Sequence, residues 1–464
     1  MNKFVNRERE LDSLRRAYQQ PQGGLVVLYG RRRLGKTSLL REFARDKLCV
    51  YYMADQAAEL SQRNAMARVM ADALNEPLMA QMRYTEWYDL FAAFDRLRPA
   101  NRKTVLIIDE YQYLCKAQPA FSSFLQKWWD EHWKNENILL ILCGSLTSMM
   151  YRETLAHSSP LYGRASGQIL LRPLSLQHIP EFVNEPSEER CVERYALCGG
   201  VPRYLELFKN ADGFEDALLD GVLNPDAPLH VEARILLQDE LDVPNVCWSL
   251  LEAIASGATR ISEMAARLAQ PANSLTRYLS LLRDLSMVER EVPVAENNPS
   301  KSKRGVYVIK DSFLRLWFGC VYPYESFFEI GNTDTALQKL RPLLQHHIES
   351  TYEMLCREYV CLHPELSPGT VRIGRQWGAH YEVDVAGVNA RGRFTLLGEC
   401  KWSRQKVGLS VLRDLQEAAR QQNLPLAPDV QWILFSRSGF SDDLQALADE
   451  QSNIQLISKL FTIS

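Results

Sequence analysis

Two sets of residues have the types and spacing for phosphate chemistry. The first is Gly30-Arg31-Arg32-Arg33-Leu34-Gly35-Lys36-Thr37, the pattern G-x-x-x-x-G-K-T. Glycines at that separation allow a tight backbone path that turns successive N–H groups toward phosphate oxygens, and a helix starting near Lys36 adds its positive end. Lys36 would reach the β- and γ-phosphates of ATP, the Thr37 hydroxyl would bind magnesium, and Ser38 would be a further nucleotide contact. Roughly seventy residues on, Asp109-Glu110 closes an apolar run. Asp109 would hold the magnesium ion, directly or through water, and Glu110 would polarise the water that attacks the γ-phosphate. Ser145, after Gly144, reads equally as a sensor of the γ-phosphate and as a helix N-cap.

The second set is Glu353, Asp384, Glu399 and Lys401. Strand alternation puts Glu399 and Lys401 on one face, and a hairpin brings Asp384 close on the neighbouring strand. Glu353, on a preceding helix, would face the same point. Three carboxylates suit a hard cation, magnesium or manganese, with the lysine lowering the pKa of an attacking water or steadying phosphate charge. Glu382 and Lys406 are accessory candidates.

The elements that must position these groups follow from periodicity. Five apolar runs, Leu25 to Tyr29, Val50 to Met53, Val105 to Ile108, Ile138 to Cys143 and Ile169 to Leu171, alternate with helical patterns. That is an α/β pattern, a parallel sheet covered on both faces, with ligands at the carboxyl ends of its strands. The aromatic stripe Phe121, Phe124, Trp128, Trp129 and Trp133 reads as core. Residues 176 to 240 give helical patterns interrupted by prolines, a lid. Three more helices, Val246 to Ala255, Ile261 to Leu268 and Asn273 to Leu285, precede a hairpin of Val288 to Val294 and Gly305 to Ile309, which makes a winged helix. In a DNA-binding version Asn273, Ser274, Thr276 and Arg277 would face a groove and Lys301, Lys303 and Arg304 would contact phosphate; the alternative is a protein-contact module. From Ala336 the order is αβββαβ, extended by one further helix and strand.

The 464 residues, 46% hydrophobic and 24% charged, suffice for several domains. A net charge of −3 removes any global argument for nucleic acid, so partners must be argued site by site. Ten scattered cysteines without a C-x-x-C pair argue against zinc ribbons and disulfide frameworks and fit a reducing cytoplasm. The N-terminus lacks an apolar signal core, and the longest apolar run is too short to span a bilayer, so no membrane association is expected.

F-V-x-R-E-x-E-L from Phe4, G-R-R-R-x-G-K-T, I-I-D-E-Y-Q-Y-L, P-L-Y-G-R-A and G-G-V-P-R-Y-L together resemble the archaeal-type ATPases of the STAND lineage, the MNS clade. The resemblance implies an ASCE-type P-loop core. It places Phe4 to Arg7 near the adenine, Arg164 as a sensor or stabiliser of the γ-phosphate, and Pro202 against the nucleotide from the lid. Asn6 stands where the family usually has glycine; asparagine tolerates the left-handed turn. A surface salt bridge is the alternative for Arg164, and action across an interface would imply a homo-oligomer or a regulatory partner. The Asp384, Glu399 and Lys401 arrangement is similar to that of restriction-endonuclease-like, PD-(D/E)xK nucleases, which recur behind these ATPases. Tyr307-Val-Ile-x-Asp311 and Leu314-Arg-Leu-Trp317-Phe318 match the linking segment. The expected domains are a P-loop core (1–175), a helical lid (176–240), a winged helix (241–330) and a nuclease-like α/β domain (331–464). Two functions follow: an ATP-hydrolysing switch coupled to a metal-dependent DNA nuclease, or a nucleotide-gated regulator that binds DNA or protein without cutting.

Overall fold

The computed structural model describes residues 4–145, 150, 153–154, 156–184, 186–211, 213–241 and 244–461. They form two compact units. The first holds residues 4–173 with 201–203 and 238–241; the second holds 174–200, 204–237 and 244–461.

In the first unit, β1 (Gly24–Tyr29), β2 (Leu48–Met53), β3 (Thr104–Asp109), β4 (Ile138–Gly144) and β5 (Gly167–Leu170) make a parallel sheet in the order β2-β3-β4-β1-β5. Every residue of β3 and β4 is buried, as expected for strands covered on both faces. β4 lies between β1 and β3, pairing Tyr29 with Gly144 and Ile108 with Leu142. The carboxyl ends of all three strands therefore share one edge. The helices of this unit include α1 (Glu8–Gln19), α2 (Lys36–Ala44), α3 (Glu59–Leu74), α4 (Trp87–Leu97), α5 (Gln112–Ala117) and α6 (Phe121–Trp128). The aromatic stripe is core, as its periodicity predicted. After α6 a wider π turn, Trp129–Trp133, buries both tryptophans. Trp133 stacks on Phe91 at 5.2 Å and donates its indole N–H to Asp95 at 2.8 Å.

The next helices are α7 (Glu188–Cys198), α8 (Pro202–Leu207) and α9 (Glu232–Glu240). Between α7 and α8, Gly199 and Gly200 both take the left-handed conformation, φ 60° and 70°. A Cβ on Gly200 would sit 2.1 Å from the Leu174 carbonyl oxygen, so only glycine fits there.

Three helices, α10 (Pro244–Ala255), α11 (Ile261–Leu268) and α12 (Ala272–Asp284), are followed by the antiparallel pair β6 (Val288–Glu291) and β7 (Val306–Ile309). The first strand is shorter than expected. It stops at Glu291 because Pro293 has no N–H to give the ladder, and the Val294 N–H bonds to the Arg375 carbonyl at 2.9 Å instead.

The C-terminal part of this unit runs α13 (Thr333–Leu362), β8 (Arg372–Trp377), β9 (Glu382–Val388), β10 (Phe394–Lys401), α14 (Leu409–Gln421), β11 (Leu426–Ser436), α15 (Asp442–Glu450) and β12 (Ile454–Ile457). Its sheet has the order β12-β11-β10-β9-β8, antiparallel from β8 to β10 and parallel from β10 to β12. β11 begins six residues before the expected Trp432. Pro428 hides that start, and it is accommodated where the β10–β11 register shifts between Phe394 and Leu396.

Candidate nucleotide site and a second acidic site

The loop between β1 and α2 has the cradle geometry its sequence predicts. Gly35 is left-handed at φ 88°, with nothing within 4 Å of where a Cβ would stand. A Cβ on Gly30 would lie 2.6 Å from the Leu171 carbonyl. Lys36 is buried and folds back onto its own loop, donating to the carbonyls of Gly30 at 2.8 Å and Arg31 at 3.1 Å. Asp109, 1% exposed, is the hub at the end of β3. Its Oδ2 accepts from the Thr37 hydroxyl at 3.1 Å and from the Tyr51 phenol, and its Oδ1 accepts from the Glu110 N–H at 3.0 Å. Burial first, and then Asp109, push the Tyr51 phenol pKa up, so Tyr51 remains a donor.

Glu110 takes a left-handed φ of 53°, a conformation that costs a non-glycine residue energy. The Gln112 amide holds it and also donates to Ser145 Oγ at 3.3 Å. Gln112 thus ties the candidate base to the candidate sensor. The N-cap alternative for Ser145 falls on 146–149, outside the described residues.

The other predicted contacts differ in placement. Asn6 and Arg7 take φ 55° and 85°, the turn asparagine was expected to tolerate, and the Arg7 guanidinium donates to the Leu34 carbonyl of the loop at 3.2 Å. Ser38 lies in the first turn of α2. Pro202 opens α8, and residues 201–203 fold with the first unit. Arg164 forms a fork on Asp130 at 2.7–3.0 Å and donates to the Pro160 carbonyl at 2.9 Å. That is the surface salt bridge weighed as its alternative.

Two acidic residues at the end of α9 were not legible in the sequence. Asp239 pairs with Arg32, which also reaches the Tyr113 hydroxyl at 3.3 Å. Glu240 is 2% exposed, and no side chain donates to its carboxylate, toward which the Arg32 backbone N–H is directed. Burial pushes its carboxyl up to about 7, against the pull of Lys36, Arg31 and Arg32.

The second acidic site lies where β9 and β10 diverge. Past the Val385–Gly398 pair, Asp384 Oδ2 accepts the Cys400 N–H at 3.0 Å, a side chain replacing a ladder carbonyl. Lys401 Nζ donates to Glu399 Oε1 at 2.7 Å. Arg357 on α13 donates to the Asp384 carbonyl at 2.9 Å. Glu353 is pushed up to about 7 by burial and then by Asp384; Asp384 is raised by burial, and Glu399 by burial and then Asp384. The four predicted residues thus share one electrostatic environment. Their oxygens do not converge, however: among the described residues no group of three or more His, Cys, Asp or Glu stands as a metal cluster. The Cys400 N–H draws Asp384 one way and Lys401 draws Glu399 another. The accessory candidates are engaged elsewhere, Glu382 by Arg375 and Lys406 by Asp442 at 3.9 Å.

The parallel sheet, the glycine cradle and the Thr37–Asp109 pair define a P-loop ATPase, and the donor set of one hydroxyl and one carboxylate fits magnesium and ATP. Residues 4–208 match the family described as ATPase domain predominantly from Archaea, and residues 317–413 match that described as Archaea bacterial proteins of unknown function. Over 406 residues the chain is 31% identical to an uncharacterized protein of Methanocaldococcus jannaschii, MJECL04, spanning 87% of this chain and 88% of the relative. The chain belongs to that family, archaeal-type P-loop ATPases with a C-terminal region of unknown function. Over 44 residues it is 48% identical to an uncharacterized ATP-binding protein of the same organism, MJ0423, spanning 10% of this chain and 75% of that one. Among solved structures, the Walker-type ATPase PABY2304 of Pyrococcus abyssi is 21% identical, spanning 68% of this chain and 96% of that one, with a TM-score of 0.47. No described helix is long and apolar enough to cross a membrane.

Proposed function

We propose that this chain is a STAND-type ATP switch whose C-terminal domain, of restriction-endonuclease-like fold, hydrolyses phosphodiester bonds in DNA. At the first site Lys36 would bind the β- and γ-phosphates, Thr37 and Asp109 would hold magnesium, Glu110 would polarise the attacking water and Ser145 would contact the γ-phosphate. Ser38, Arg164 and Pro202 complete the nucleotide contacts, Arg164 after leaving Asp130 and from either its own or a neighbouring subunit. The exposed face of α12, with Asn273, Thr276 and Arg277, and the tip carrying Lys301, Lys303 and Arg304 serve as the DNA contact.

One observation carries the nuclease reading. In an αβββαβ arrangement, Asp384 on β9 and Glu399 with Lys401 on β10 come to one sheet edge, with Glu353 on the preceding helix in the same field. Glu353, Asp384 and Glu399 would hold a magnesium or manganese ion, which supplies Lewis acidity and an activated water when bound. Lys401 steadies the developing phosphate charge. A second reading, a regulator that binds without cutting, is favoured by the divergence of these oxygens. The test is cleavage of single-stranded, duplex and branched DNA with magnesium or manganese, with and without ATP. Cutting that Glu399→Ala and Lys401→Ala abolish supports the nuclease; no cutting by the wild type leaves the regulator. Lys36→Ala is expected to lose ATP hydrolysis, and a fully active variant sinks the ATPase assignment of this loop.

A further inference from the structure

The acidic end of α9 makes no contribution to the phosphate chemistry above, yet it lies at the P-loop. Asp239 is paired with Arg32, a residue of the loop itself. Glu240 is almost wholly buried; no side chain donates to its oxygens, and the Arg32 backbone N–H is the donor directed at them. The groups it faces are the ammonium of Lys36 and the guanidinium groups of Arg31 and Arg32, with Asp239 beside it on its own helix. A buried carboxylate with no side-chain donor is costly, and the three cations that face it, with the Arg32 backbone N–H, offset that cost only in part, so the carboxyl stands at about 7. Those cations, with Lys36 foremost, are the charges a triphosphate needs. An acid in that position and a nucleotide phosphate compete for one positive field and repel each other through a low-dielectric interior.

Resting on the assignment of the loop as an ATP site, we propose that Asp239 and Glu240 form an acidic latch that competes with nucleotide phosphate for the cations of the P-loop and is expelled when nucleotide binds. The chain on both sides of residues 238–241 belongs to the second unit. A nucleotide that displaces this short segment therefore pulls on the second unit at two points in the sequence. The latch converts occupancy of the P-loop into a movement of α9, and it lowers affinity for nucleotide by the work of opening it.

The test measures affinity for ADP and for a non-hydrolysable ATP analogue, with magnesium, by calorimetry on the full chain at pH 8, where Glu240 is ionised. Glu240→Gln keeps the volume and removes the charge, so it is expected to bind both ligands about tenfold tighter or more. Asp239→Asn is expected to tighten them by a smaller factor, since its partner Arg32 is partly exposed. Hydrogen exchange on the wild type needs no substitution: amides 232–241 are expected to exchange faster with nucleotide bound than without. Unchanged or weaker binding by a folded Glu240→Gln variant overturns the latch, as does slower or unchanged exchange of α9. Wild-type protein that binds no nucleotide overturns the ATP-site assignment itself, and the latch with it.

Discussion

His347 offers a quantitative check on how the second unit is held together. It lies in the middle of α13, buried, with Nε2 2.9 Å from the Ala196 carbonyl and Nδ1 accepting from Arg315 at 3.4 Å. That pair of partners fixes the neutral tautomer with the proton on Nε2. Burial first, and then Arg315, depress its pKa to about 3, while the unfolded chain has the ordinary value of about 6.5. A depressed histidine pKa means the unfolded state binds the extra proton. The stabilisation is therefore fully present above about pH 6.5 and is lost as pH falls toward 3. Between pH 7.5 and pH 5 the unfolded histidine becomes almost fully charged and the folded one does not, which removes about 2 kcal/mol. Glu188 and Glu353, raised by burial to about 7, act with the opposite sign, gaining stability as pH falls from about 7 toward 4.5.

The experiment must cancel those carboxylates, so it compares wild type with His347→Gln at each pH by urea denaturation. Glutamine can still donate to the Ala196 carbonyl but does not titrate. At pH 7.5 the variant is expected to be the less stable, and by pH 5 its deficit shrinks by about 2 kcal/mol. A deficit equal at both pH values would refute the claim that His347 is held neutral between α7 and α13.

Trp133→Ala removes a fully buried ring and the donor to Asp95, so it is expected to cost about 3–5 kcal/mol, read as a fall in the melting temperature of the first unit. Gln112→Ala unties Glu110 from Ser145; about a tenfold loss of kcat with KM for ATP nearly unchanged is expected, and a shift confined to KM would contradict the positioning role. Glu353 sits near half-protonation at neutral pH, and a cation must displace that proton. Manganese titrated calorimetrically into the chain is therefore expected to bind about tenfold more weakly at pH 6 than at pH 8, and equal affinity at both would count against Glu353 as a ligand.

What could be read from the sequence was whatever is encoded locally. β1, β3 and β4 are buried on both faces and announce themselves as unbroken apolar runs, and Gly30, Gly35, Lys36 and Thr37 are fixed by the short path of one loop. Asp109 was legible because it ends such a run. The groups that hold Asp109 and Glu110 were not. Tyr51 is only an apolar-run residue until β2 pairs with β3, and Gln112 gains its meaning from β4 delivering Ser145 beside it. Prolines misled the register at Pro293 and Pro428, where backbone donors are lost but the chain stays extended. Arg164 carried a motif but is bound to Asp130, a partner thirty-four residues away in sequence that no spacing rule selects.

Glu240 shows most clearly why charge cannot be interpreted residue by residue in such a chain. In sequence it is one of three acids in Gln238-Asp239-Glu240-Leu241-Asp242, ordinary for a solvated helix end. Burial reverses that reading, because a carboxylate with no side-chain donor leans on the cations it faces, and those cations lie on the loop proposed to bind nucleotide. Arg31, Arg32 and Lys36 have a limited set of anionic partners, and the loop that binds phosphate most tightly when full is the loop most in need of a substitute when empty. A segment that provides the substitute from outside the sheet is bound to respond to occupancy. On this argument neutralising Glu240 should uncouple the two events, tightening nucleotide binding while diminishing the nucleotide-dependent change in α9. If tighter binding came with the full change in exchange, the acid would only oppose phosphate, and the coupling would have to reside in residues 201–203 instead.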